Sequence, residues 1–180
     1  MVWIRRFFSL TLILLVAGCA TNPIDFSKGK IVPQEEGVVF GRVNLIYKNE
    51  PRVWGKLSSP GVFYILVLPS GSSEAFSHML REDGSFYWHL SPGSYAISGF
   101  QWTGAGRGFT KSGRIFAEFV VPERKSISYV GKLTLIFDGD YRFNMRIEDD
   151  YDQAIQDFKK KFPEIKEEPV KTIMKLEVPR

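Results

Sequence analysis

Short apolar runs of alternating phase, turn residues between them and an aromatic content of 14% predict a mainly β protein. The expected architecture is a two-sheet antiparallel β-sandwich of seven to nine strands with one C-terminal amphipathic helix. The sequence divides into residues 1–18 as a signal peptide, 19–37 as a modified N-terminus and tether, 38–148 as the sandwich, and 149–180 as helix and tail.

The first segment has the parts of a secretory signal in order. Arg5 and Arg6 form the positive end, and no acid precedes Asp25. The apolar core from Phe7 to Ala17 is broken only by Ser9 and Thr11. It is too short for a hydrocarbon layer that needs roughly 20 residues, and so reads as a cleavable segment. It closes on Leu15-Val16-Ala17-Gly18-Cys19, which holds the only cysteine. This stretch resembles the lipobox of bacterial lipoproteins, with Val16 where that family usually has leucine. The resemblance implies removal of residues 1–18 and diacylglycerol and palmitate on Cys19. Two or three acyl chains, at about 0.8 kcal/mol per buried methylene, make a lasting membrane anchor. Ala20 follows the cysteine where aspartate would mark inner-membrane retention, which implies the outer membrane, facing the periplasm.

The signal takes two arginines and no acids from totals of 24 basic and 20 acidic residues, leaving about +2. Nothing in that balance argues for nucleic acid, which calls for a clustered basic face. Residues 20–37 are polar, hold Pro23 and Pro33, and read as a tether; Glu35-Glu36 reads as a solvated loop.

From Val38 the pattern becomes strands. Val39, Val43, Leu45 and Tyr47 share one face, with Gly41 as a candidate bulge. The run 63–68 is continuously apolar, as for a central strand covered on both faces. Residues 77–81 form a shorter strand, and Glu82-Asp83-Gly84 a turn. Next come strands around 85–90 and 95–102, joined through Ser91-Pro92-Gly93-Ser94, with proline and glycine suited to a turn. Phe86, Trp88 and Leu90 share a face, as do Tyr95, Ile97 and, across Gly99, Trp102. The Asp83-Gly84-Ser85-Phe86 and Pro92-Gly93-Ser94-Tyr95 motifs resemble carboxypeptidase regulatory-like and prealbumin-like β-sandwiches, including their Cna-B relatives. The resemblance implies that the first motif opens one strand and the second begins its partner. It says little about function, because such sandwiches act as spacers, binders and assembly modules.

Gly104-Ala105-Gly106-Arg107-Gly108 has glycine-loop character but opens a strand, where a phosphate loop would open a helix; it reads as a hairpin tip. Strands follow at 115–121, 129–137 and 141–147. Tyr151, Ala154, Ile155, Phe158 and Phe162 then recur at helical spacing over 150–162. Asp149 or Asp150 suits the start, and Lys159, Lys160 and Lys161 suit the negative end of the helix dipole. An apolar stripe of this kind either covers the sandwich or docks a partner. Residues 164–180 read as loosely ordered, with a short strand at 172–178.

No catalytic set, cofactor site or metal site emerges. His78 and His89 lack metal-ligand spacing, and His89 points away from Phe86, Trp88 and Leu90. G-x-S-x-G is missing. Asp138 with Asp140 and Asp149 with Asp150 sit at a turn and a helix start, where local hydrogen bonding accounts for them. The expectation is a non-catalytic lipid-anchored envelope protein, held to the membrane through Cys19, that binds or positions another envelope component. The alternatives are an accessory subunit of an outer-membrane assembly or export system docking through the helix, and a carbohydrate-active or hydrolytic module.

Overall fold

A computed structural model describes residues 36–47, 50–52, 62–103, 110–138 and 142–177. The lipobox with Cys19, the tether through residue 35, the glycine-rich loop at 104–108 and Tyr141 lie outside these residues. Two sheets face each other across the main core, giving the mainly β sandwich with a single helix expected from sequence.

The first sheet is built on β1 (Gly37–Tyr47). On one side β1 pairs in succession with β5 (Ser85–Leu90) and β2 (Glu50–Arg52), both antiparallel. On the other it pairs with β8 (Ile127–Phe137), and this pairing is parallel. The far side of β8 is covered by β9 (Phe143–Glu148), antiparallel, and by β10 (Val170–Lys171), parallel. The sheet is therefore mixed, a correction to the wholly antiparallel expectation. Long connections through the second sheet and through the helix allow chains to return in the same direction.

The second sheet is antiparallel throughout, in the order β11 (Lys175–Leu176), β7 (Thr110–Val121), β6 (Gly93–Thr103), β3 (Val62–Pro69) and β4 (Phe76–Met79). Setting aside the elements of two and three residues, eight strands remain, within the expected range.

Strand β3 is central, but only Phe63, Ile65 and Val67 are buried; Tyr64, Leu66 and Leu68 are partly exposed. The expectation of cover on both faces is corrected: among the described residues, continuous apolarity here marks one core face and one partly exposed face. Strands β5 and β6 also differ from expectation. They enter different sheets, so the Ser91–Pro92 connection crosses the sandwich and is no hairpin turn. The motif residues hold this crossing. Asp83 accepts hydrogen bonds from the Ser85 N–H at 2.9 Å and hydroxyl at 2.7 Å, launching β5, and the Tyr95 hydroxyl donates to the Ser91 carbonyl at 2.8 Å. On β6, Ser98 has no partner on β3, because Leu66 pairs with Gly99 and Val67 with Ile97. That extra residue turns Phe100 and Trp102 to the core side, as Tyr95 and Ile97 already are.

Gly41 is not the bulged residue. Phe40 pairs with Tyr129 and Arg42 with Lys132, so the extra residue lies on β8, where Gly131 adopts φ 95°. Gly41 is needed for close approach: a Cβ there would stand 2.6 Å from the Gly131 carbonyl oxygen and 2.7 Å from the Phe86 ring.

Helix α1 (Tyr151–Lys161) crosses the outer face of the first sheet. Phe158 stacks on Phe40 at 4.5 Å between centroids, and Phe162 meets Tyr87 edge-on at 5.1 Å. Tyr151, Ala154 and Ile155 complete a second core with Val38, Ile127 and Tyr129. The apolar stripe is used to cover this sheet. Arg42 pairs with Asp157 at 3.0 Å on the helix flank.

The tail is ordered, against expectation. The Thr172 and Met174 N–H groups donate to the carbonyls of Tyr129 and Val130 on β8, at 2.8 and 2.9 Å. The Glu177 N–H then donates to the Phe116 carbonyl on β7 at 2.8 Å. Met174 is buried between these attachments, so the tail straps the two sheets together along one side.

Candidate functional site

Three surfaces carry chemistry worth following. The first is the entry of β1. The turn after Pro122 grips this entry, with the Lys125 N–H donating to the Glu36 carbonyl at 2.9 Å and the Val38 N–H to the Ser126 carbonyl at 2.8 Å. Lys125 is left-handed, at φ 58°, and the Ser126 hydroxyl bonds back to the Glu123 carbonyl at 2.6 Å. Glu36 is partly buried, a correction to the solvated-loop reading; its Oε2 lies 3.8 Å from Nδ1 of His89. His89 does point away from Trp88, as expected, yet its side chain is only 3% exposed. Burial lowers its pKa below the ordinary histidine value, because the protonated ring loses hydration.

The second surface is the head of α1. Asp150 occupies the N-cap position but its side chain makes no capping bond. It accepts instead from the hydroxyl of Tyr129, and that hydroxyl accepts from the Asp150 N–H at 2.9 Å. Burial and the adjoining Asp150 carboxylate push the Tyr129 phenol well above its usual range. Asp149 takes the local capping role, accepting from the Tyr151 N–H at 3.1 Å, and pairs with Lys171 at 2.9 Å. That contact with Lys171 holds the Asp149 carboxyl below its usual range. Glu148 accepts from Thr134 and lies 3.5 Å from both Lys132 and Arg146. The Thr134 hydrogen bond, followed by these two cations, lowers its pKa. A depression of about 300 Å³ opens between Asp149, Gln153 and Lys171.

Asp149 and Glu148 thus each have a partner that favours the charged form of the carboxyl. Among the described residues no group of three or more His, Cys, Asp or Glu is arranged to hold a metal ion. His78 is spent on packing, its ring edge-on to Trp88 at 5.5 Å. Asp138 is exposed at the end of β8, and its expected companion Asp140 lies outside the described residues. Among the described residues no helix is long and apolar enough to cross a membrane.

The third surface is the outer face of the second sheet. Tyr64, Leu66 and Leu68 are partly exposed there, and Met79 and Val120 are 58% and 48% exposed. Sequence reasoning missed this face because a continuous apolar run reads as doubly covered. Burial on β3 alternates, and only that alternation distinguishes the two sides. It also missed Lys132, Lys171 and Tyr129 as a group, since they meet only through the pairing of β8 with the tail and helix head.

No protein-family model matches the chain, and no curated protein or solved structure is detectably similar to it.

Proposed function

We propose that the chain is a lipid-anchored, non-catalytic protein of the bacterial cell envelope whose sandwich binds or positions another envelope component. The observation that carries this reading is the stretch Leu15-Val16-Ala17-Gly18-Cys19 behind Arg5-Arg6 and an apolar segment too short to span a bilayer. Its resemblance to a lipobox makes Cys19 the lipidated residue, and Ala20 favours the outer membrane, facing the periplasm. The entry of β1 is gripped by the turn after Pro122, and the carboxylates at the helix head are held in ion pairs and hydrogen bonds. The motifs around residues 83–95 resemble those of carboxypeptidase regulatory-like and prealbumin-like sandwiches, which serve as spacers, binders and assembly modules alike.

Docking through the apolar stripe of α1 is the weaker reading, because that stripe covers the first sheet. A partner would meet its polar face, or a different surface.

The deciding experiment is mass analysis of the mature N-terminus from membrane-extracted protein. The expected result is a chain starting at Cys19 with a diacylglycerol adduct, lost in Cys19→Ala together with membrane association. A mature chain that keeps residues 1–18, or an unmodified Cys19 with membrane association intact, would sink the proposal.

A further inference from the structure

The outer face of the second sheet carries a pattern that is its own complement. Ile65 and Val67 on β3, and Ile115 and Ala117 on β7, are fully buried. By strand alternation Leu66 and Leu68, and Arg114, Phe116 and Glu118, therefore face outward. The registers put Leu66 level with Gly99 and Arg114, and Leu68 level with Ala96 and Glu118. Phe116 and Ser98 lie between these two rows.

We propose that this face is the contact surface of a homodimer, two copies stacked sheet on sheet about a two-fold axis that crosses the strands over Phe116 and Ser98. Such an axis reverses each strand onto its own copy. Arg114 then lies over Glu118 of the second copy, Leu66 over its Leu68, and Phe116 over its Phe116. One axis satisfies the charge pair and the apolar contacts together, which is what an isologous interface requires and a heterologous partner does not. Neither Arg114 nor Glu118 forms an ion pair with another described residue, although Lys175 stands beside Glu118 across the β7–β11 pairing. Stacked sheets pack about 10 Å apart, within reach of arginine and glutamate. Five strands about 4.8 Å apart, of unequal length but averaging about 25 Å, offer on the order of 600 Å². That falls short of the roughly 800 Å² per partner of a standard stable interface, so the dimer dissociates on dilution.

The test is sedimentation velocity on the detergent-solubilised full chain over a concentration series, with charge reversals at the two exposed sites. Arg114→Glu and Glu118→Arg each bring like charges together and are expected to raise the dissociation constant about tenfold or more. The double variant R114E/E118R restores the pairing and is expected to return it to within about threefold of the native chain. Unchanged melting curves show that the variants remain folded. As a positional check, Phe116→Cys gives a covalent dimer with a bismaleimide long enough to span the roughly 10 Å between stacked sheets, in excess over the native chain and over Val170→Cys at the edge of the first sheet. A chain that stays monomeric at every concentration overturns the proposal, as does a double variant that fails to recover. Crosslinking of Phe116→Cys to a different protein in place of a second copy also overturns it.

Discussion

The two sheets present outer faces of similar raw material and opposite finish. On the first, Val38, Phe40, Tyr87, Ile127 and Tyr129 are at most 7% exposed, because α1 lies across them. On the second, Tyr64, Leu66, Leu68 and Phe116 stay partly exposed, with no described helix across them. The difference lies in what the chain supplies nearby. After β9 it has an amphipathic helix of 11 residues to lay over the first sheet, while the described tail meets the second only along the edge of β7. A helix over a sheet converts an apolar face into core, and burial of that area stabilises the fold. A bare face leaves the same potential for contact with another surface.

Substitutions on the two faces should therefore differ most. Phe158, 1% exposed and stacked on Phe40, sits at the centre of the covered face. Phe158→Ala is expected to cost about 3–5 kcal/mol in a urea unfolding experiment. Phe116→Ala on the bare face is expected to change monomer stability by less than about 1 kcal/mol. Equal losses would erase the distinction between covered and bare.

The strap along the side comes next. Met174, 3% exposed, packs in the main core between the tail's two attachments. Met174→Ala is expected to cost about 2–3 kcal/mol, and hydrogen exchange should show faster opening at Thr172 and Glu177. Tyr129→Phe removes the hydroxyl that joins β8 to the helix head and leaves Asp150 without that donor. A loss of about 1–3 kcal/mol is expected, with exchange at the N–H of Asp150 as the local readout.

The smallest effect is a pH dependence at the β1 entry. Burial holds the His89 pKa below 6.5 in the folded chain. As pH falls below about 6.5, the unfolded chain takes up a proton that the folded imidazole resists. Stability from this group is thus complete above about 6.5 and declines as pH falls toward the folded value. The nearby carboxylate oxygen is Glu36 Oε2, 3.8 Å from Nδ1. Urea midpoints measured downward from about pH 8 should fall for the native chain, and less steeply for His89→Gln. Parallel curves would show that other groups govern this window.

Much of the architecture was legible because it rests on local chemistry. Alternation marked β1 and β9 and turn residues marked their ends, while the spacing of Tyr151, Ala154, Ile155, Phe158 and Phe162 marked the helix and its buried stripe. The errors share a cause. The sharp Pro92-Gly93 connection suited a hairpin, yet which sheet a strand joins depends on pairings distant in sequence: β5 pairs with residues some 50 positions earlier, and β6 with β3 and β7. A glycine within a strand invites a bulge at Gly41, but the extra residue is on β8, where Gly131 can adopt positive φ. The charged and proline-broken tail looked loosely ordered because its order comes from carbonyls of β7 and β8, which no local pattern reveals.

By itself, then, the sequence determined the class of fold, the strand phases, the helix and its apolar stripe, since each follows from side-chain periodicity and turn chemistry within a few residues. Only the tertiary structure decided the parallel β1–β8 pairing, the crossing between sheets, the strap and the contrast between a covered and a bare face. Those depend on which distant backbones meet, and backbone hydrogen bonds carry no side-chain signature to announce their partners.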